Sequence, residues 1–142
     1  MSKPIIYKNI VDIHFSYIDA FGHVNAKHYL DLVATSRLWF LERDMQMPLP
    51  TLMKAGYGFY LKKAVQNFRR PIIGLQGVLV TSYVAAVRDA NLEIPFEIRT
   101  KDDEKVFADG ILEYAVMDLN QMRPVPPPKM MLDLFFTDKI PE

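Results

Sequence analysis

The segment from about residue 26 to 43 is apolar around most of its circumference. Leu30, Val33, Ala34, Leu38 and Leu41 form one stripe at helical spacing, and Tyr29, Leu32 and Phe40 widen it. A helix with one narrow apolar stripe can lie on a surface, but one this apolar has to be enclosed by other elements. Asn25 stands just before it and is a good N-cap, because its side-chain oxygen can accept a free amide two or three residues on. Pro48 and Pro50 end the segment. Thr51 to Ala55 has room for one more helical turn before Gly56 and Gly58.

The remaining chain supplies strands to cover that helix. Strands are expected at about 7–15, 59–68, 78–88, 92–100 and 106–118. The alternation is clearest where Leu92, Ile94, Phe96 and Ile98 share one face and Glu93, Pro95, Glu97 and Arg99 share the other. Pro95 has no ladder donor, so it belongs at an edge or a bulge. A further bulge is expected at Asp109-Gly110. Beyond them lies a Pro-rich C-terminal tail, 123–142, in which Lys129 to Phe136 reads either as a short helix or as a tail that packs on a partner. Long strands joined by short turns predict a curled antiparallel sheet of about five strands around one long central helix, an α+β fold in a single domain, 1–142.

The bulk properties narrow the function classes. At 142 residues the chain fits one domain with a real core. Lys plus Arg and Asp plus Glu both number 17, so the formal charge is zero. That balance offers nothing to nucleic acid or an anionic membrane and is compatible with self-association. The chain has no cysteine, which excludes disulfides, thiol catalysis and thiolate metal ligands. No apolar run approaches the ~18 residues of a membrane helix, and the opening residues are too poor in apolar side chains for a signal peptide. A cytoplasmic location is the expectation.

The loop leading into the helix concentrates the chemistry. Asp19, Gly22, His23 and Asn25 fall within seven residues of one another. Asp19 offers a carboxylate, as a reacting group or as a turn residue capping local amides. His23 can polarise a carbonyl or hold the loop. The amides of Val24, Asn25 and Ala26 lie where a helix start leaves N–H groups without helical partners and favours negative charge. Tyr29 either lines a pocket or packs in the core. Arg69 and Arg70 can meet phosphates or pair with acids at a strand end. His14, His23 and His28 lack metal-ligand spacing and there is no H-E-x-x-H pattern, so no metal is expected. The glycines are scattered, with no P-loop and no G-x-G-x-x-G, so no nucleotide cofactor is expected.

Asp19-Ala-Phe-Gly-His-Val-Asn25, followed by Tyr29-Leu30 and Arg37, resembles the signature of the 4-hydroxybenzoyl-CoA thioesterase-like branch of hot-dog-fold proteins. Asn67-Phe68-Arg69-Arg70-Pro71 resembles the branch too, as does Ala108-Asp109-Gly110 leading to Met122-Arg123-Pro124-Val125-Pro126. The resemblance implies the hot-dog fold and a homodimer or homotetramer with active sites at the subunit interface. It implies hydrolysis of an acyl-CoA thioester without cofactor. Asp19 would be nucleophile or general base, His23, Val24, Asn25, Ala26 and Tyr29 would bind substrate or oxyanion, and Arg69 and Arg70 would meet the phosphates of coenzyme A. The chain departs from the pattern at Ala26, where a second Asn is common, at Ala34, where an acid is common, and at Leu75-Gln76-Gly77, where a Gly-Asp pair often stands. With Ala34 in place, Asp19 is the main catalytic candidate. Two other readings stay open. One is the same hydrolysis on acyl carrier protein, met by Arg69, Arg70 and Arg88. The other is a non-catalytic hot-dog protein that binds acyl ligands.

Overall fold

The computed structural model describes residues 2–138. Strands β1 (Lys3–Pro4) and β2 (Tyr7–Val11) open the chain. A 3-10 turn, Ala26–His28, runs into helix α1 (Tyr29–Trp39), which ends in a wider π-type turn, Phe40–Asp44. Helix α2 (Leu49–Lys54) precedes β3 (Tyr57–Phe68), β4 (Val78–Ser82), β5 (Ala86–Arg88), β6 (Asn91–Arg99) and β7 (Val106–Asp118). Strand β8 (Arg123–Pro124), helix α3 (Lys129–Phe135) and β9 (Phe136–Thr137) follow.

The main sheet has the order β2-β4-β6-β7-β3, with β5 on β6 and β8 on β7. All its pairings are antiparallel. The sheet curls around α1, which packs chiefly on β2 and β4. This is the helix wrapped by a curled antiparallel sheet that the helix and strand patterns called for, and the hot-dog architecture that the resemblance implied.

Several boundaries move, each for a tertiary reason. The first strand stops at Val11, where its ladder with β4 ends at Val11 opposite Val78. Three residues on, His14 accepts the Ser16 amide at 3.1 Å and turns the chain into a 3-10 turn, Phe15–Tyr17. The strand expected over 78–88 breaks into β4 and β5. Between them residues 83 to 85 stand opposite only Ile94 and Pro95 of β6, so this side carries one extra residue. Pro95 therefore lies opposite the interruption, where its missing N–H leaves no gap in a ladder. The bulge expected at Asp109-Gly110 is absent. The register slips instead at Lys62 in β3 and beside Ile98 in β6. Gly110 serves a different purpose: the Phe96 ring lies across it, and a Cβ there would meet two ring carbons at 2.9 Å and crowd the Val65 carbonyl oxygen.

The helix also faces the sheet differently from the expected stripe. Tyr29, Leu32, Val33, Ser36, Phe40 and Leu41 are buried, whereas Ala34 and Leu38 are exposed. Both sides of α1 are apolar, and the sheet covers one of them. Ser36 belongs to the covered side because its hydroxyl donates to Asn9 Oδ1 of β2 at 2.5 Å.

The Pro-rich tail is docked. Arg123 and Pro124 extend the sheet on β7, α3 buries Met131, Leu134 and Phe135, and β9 pairs with β1. Residues 139–142 of that tail lie outside the described residues.

Candidate active site

The loop before α1 is built as one pinned unit. Ile18 and Val24 form an isolated bridge, and His23 bridges Ile73 in the segment after β3. The Asp19 amide donates to His23 O at 2.8 Å, and Gly22 N–H returns to Asp19 O at 3.1 Å. Gly22 has φ +77° with open space around it, a left-handed turn that glycine takes without strain. Gly74 N–H then donates to Gly22 O at 2.9 Å. Residues 22 to 24 of the loop therefore rest on residues 72 to 74.

Within this frame Asp19 uses one oxygen for the turn. Its Oδ1 accepts the amides of Phe21 at 2.9 Å and His23 at 3.1 Å. Among the described residues Oδ2 accepts from nothing. The two backbone donors occupy Oδ1 and leave the second oxygen open to a ligand or water. Phe21, at the tip of the same loop, is 85% exposed.

The helix start is more occupied than the sequence suggests. Val24 N–H donates to Ile72 O at 2.8 Å, and Asn25 N–H to Tyr17 O at 2.8 Å. Both had been expected among the free donors, and the bridges that pin the loop consume them. Asn25 Oδ1 accepts Lys27 N–H at 3.2 Å, so Asn25 is the cap of the 3-10 turn. Ala26 N–H has no partner among the described residues. It is the remaining donor of the three.

Tyr29 is buried, its ring edge-on to Phe68 at 5.0 Å. Burial raises its phenol above the usual value, offset in part by a hydrogen bond with the Ile72 backbone. Tyr29 thus braces the segment that carries the loop.

The two arginines separate. Arg69 grips Asp109 with Nε at 3.2 Å and Nη2 at 3.3 Å, and Asn67 adds a bond to the same carboxylate at 3.0 Å. The Arg69 hydrogen bond holds the Asp109 carboxyl below its usual range, with Asn67 assisting. Arg70 is exposed and has no ion pair among the described residues. Arg88 is bonded to Glu93.

One neighbouring group was not singled out from the sequence as reactive. His28 Nδ1 lies 2.8 Å from Asp31 Oδ2, and its ring stacks on Tyr17 at 4.1 Å and 8°. The i, i+3 spacing of His28 and Asp31 on a helix start was the available signal. Among the described residues no group of three or more His, Asp or Glu side chains is placed to hold a metal. No helix among them is long and apolar enough to cross a membrane.

A family model described as the thioesterase-like superfamily matches residues 13–135. The chain belongs to that superfamily. Solved structures agree in fold. A protein from Lactobacillus plantarum provisionally named an oleoyl thioesterase superposes with a TM-score of 0.85 at 14% identity, covering 93% of this chain and 51% of that one. A 1,4-dihydroxy-2-naphthoyl-CoA thioesterase from Synechocystis gives 0.81 at 15% identity, covering 91% and 94%. A hypothetical protein from Staphylococcus aureus, solved in complex with CoA, gives 0.79 at 11% identity, covering 92% and 82%. No curated relative matches the chain significantly. The superfamily's description and the two neighbours named as thioesterases support acyl thioester hydrolysis in general terms.

Proposed function

We propose that this member is an acyl-CoA thioesterase of the 4-hydroxybenzoyl-CoA thioesterase-like branch, with Asp19 as nucleophile or general base. The observation that carries the proposal is the division of labour on Asp19. Oδ1 is fixed by two amides and Oδ2 is open, so the turn role and the reactive role use different atoms. A carboxylate held in this way either attacks the thioester carbonyl or takes a proton from the attacking water. The Ala26 amide, at the start of the helix, is the donor assigned to the developing oxyanion. His23 is assigned to orienting substrate or water. Arg70 is the arginine assigned to coenzyme A phosphates, since Arg69 is committed to Asp109.

Asp19→Asn is expected to lower kcat by about 10²- to 10⁴-fold, the usual contribution of a positioned acid–base group, with secondary structure and oligomer unchanged. The assay is a panel of short, long and aromatic acyl-CoAs with a thiol-detecting dye. Full activity in that variant rejects the assignment.

Pairing of Arg69 and Arg88 with acids weakens the reading in which a basic mouth receives acyl carrier protein. Ala34, where the related pattern carries an acid, supports the non-catalytic acyl-binding reading. Acyl-CoA binding with no thiol release across the panel would establish that one. Two features support a homodimer or homotetramer with the site at its interface. The uncovered apolar side of α1 carries Ala34 and Leu38, and the long edge strand β3 exposes Tyr60, Leu61, Val65 and Phe68. The cytoplasm, where acyl-CoA is made and used, is the compartment proposed.

A further inference from the structure

The uncovered side of α1 borders a cavity of about 200 Å³ between the helix, β3, β6, β7 and α3. Leu41, Phe59, Leu92, Ile94 and Phe135 wall it with hydrocarbon. Two polar side chains face this lining, Arg37 and Tyr114.

Arg37 is a cation without an anion. Its Nη1 donates to Ser82 Oγ at 3.3 Å. Its guanidinium carbon lies 5.1 Å from the Phe40 ring centre and 5.7 Å from that of Phe135. No carboxylate among the described residues pairs with it. Guanidinium has five N–H donors, and one of them is used here. Ala34, one helical turn earlier on the same side, offers no carboxylate at the i, i+3 position where an acid would pair. Burial lowers the Arg37 guanidinium to about 10, and the Tyr114 and Tyr7 phenols oppose that shift. It remains protonated at neutral pH. The Tyr114 hydroxyl likewise has no acceptor among the described residues. This half-open apolar pocket therefore presents two donor side chains and no carboxylate, and leaving a buried charge unpaired is costly.

We propose that this cavity is a binding site for a carboxylate at the end of an aliphatic chain, bonded by Arg37 and Tyr114 with its hydrocarbon against Phe59, Leu92 and Ile94. Guanidinium and carboxylate match in a two-pronged bond, and the phenol adds a third donor. A cavity of roughly 150 Å³ holds a benzene-sized molecule, so this one suits about eight heavy atoms, the size of hexanoate. The carboxylate has two sources. It is either a free fatty acid or the far end of a long ω-carboxyacyl group whose thioester lies at the Asp19 loop. Along α1, Ala26 and Arg37 are separated by roughly 16 Å at the helical rise, so the second source needs a chain of about twelve carbons. Only the second source rests on the thioesterase reading.

Equilibrium binding of hexanoate and of hexanol to the full chain, followed by titration calorimetry or protein NMR, tests the site without requiring turnover. Hexanoate is expected to bind at least tenfold more tightly than hexanol. Arg37→Met keeps the apolar stem and is expected to remove that advantage while leaving hexanol unchanged. Tyr114→Phe is expected to weaken hexanoate by about 3- to 10-fold, the worth of one hydrogen bond to a charged group. Should Arg37→Met fail to fold by circular dichroism, Tyr114→Phe decides. Equal hexanoate affinity in that variant overturns the proposal. So does the absence of saturable hexanoate binding in the parent protein, including the case where a second copy fills the cavity and Arg37→Met alters only the oligomer. A kcat/KM preference for dodecanedioyl-CoA over dodecanoyl-CoA that Arg37→Met abolishes assigns the carboxylate to the substrate. Hexanoate binding without that preference assigns it to a free acid.

Discussion

Gly110 offers a direct test of how the sheet supports the active-site loop. Replacing it with Ala places a methyl group against the Val65 carbonyl oxygen on one side and at 2.9 Å from two Phe96 ring carbons on the other. The Phe96 ring can tilt, but the Val65 oxygen is backbone and cannot move without opening β3 from β7. Overpacking of this kind costs about 1–3 kcal/mol. Loss of about two ladder hydrogen bonds around the Gln66–Gly110 pair adds about 1 kcal/mol each. The total is roughly 3–5 kcal/mol, a large share of the 5–15 kcal/mol typical of a domain. At about 2–4 °C per kcal/mol for a chain near this size, Tm falls by roughly 6–20 °C. Activity is expected to fall as well, because the next pair along is Asn67–Asp109, which Arg69 clamps just before the segment that holds the Asp19 loop. Urea and thermal unfolding followed by far-UV circular dichroism read the stability. A Tm within 2 °C of the parent would show that the strands accommodate the methyl group and that Gly110 is not held by close approach.

Three further outcomes are expected. Asn25→Ala removes the cap on Lys27 N–H and is expected to cost about 0.5–2 kcal/mol in urea unfolding. It should also lower kcat more than stability alone explains, because the cap sets the position of the Ala26 amide. Asp109→Asn tests the sign of the pH dependence. The native carboxyl titrates below its unfolded value, so its stabilisation is present above about pH 4 and is lost as pH falls through the native value. The stability gap between parent and variant is therefore expected to close on acidification, and a gap that widens refutes the assignment. Val65→Lys on the exposed edge strand is expected to weaken self-association, read as a shift to smaller mass in light scattering. An unchanged mass would mean that this part of β3 lies outside the interface.

Residues 17 to 37 made the loop, the cap and the helix legible from the chain alone, because capping and helical periodicity are local. Asn25 caps at the expected place, and β6 follows the Leu92–Ile98 alternation almost residue for residue. Strand ends were less legible. β2 stops where its partner ends, and β4 breaks from β5 by a slip against β6, so neither boundary is a property of its own residues. The apolar helix faced two ways in sequence. Ser36, bonded to Asn9, 27 residues away in another element, marks the side that the sheet covers, and no periodicity could choose it.

The sequence by itself determined that an enclosed helix, a long-stranded cover and a loop carboxylate belong to one unit, since hydrophobic pattern and turn chemistry are written in neighbouring residues. The tertiary structure alone decided which donors stay free. The Val24 and Asn25 amides are taken by Ile72 and Tyr17, the Arg69 guanidinium is paired with Asp109, and that of Arg37 has no carboxylate partner among the described residues. Each outcome depends on a partner distant in sequence, brought within hydrogen-bond range or left out of it by the packing of the sheet on the helix.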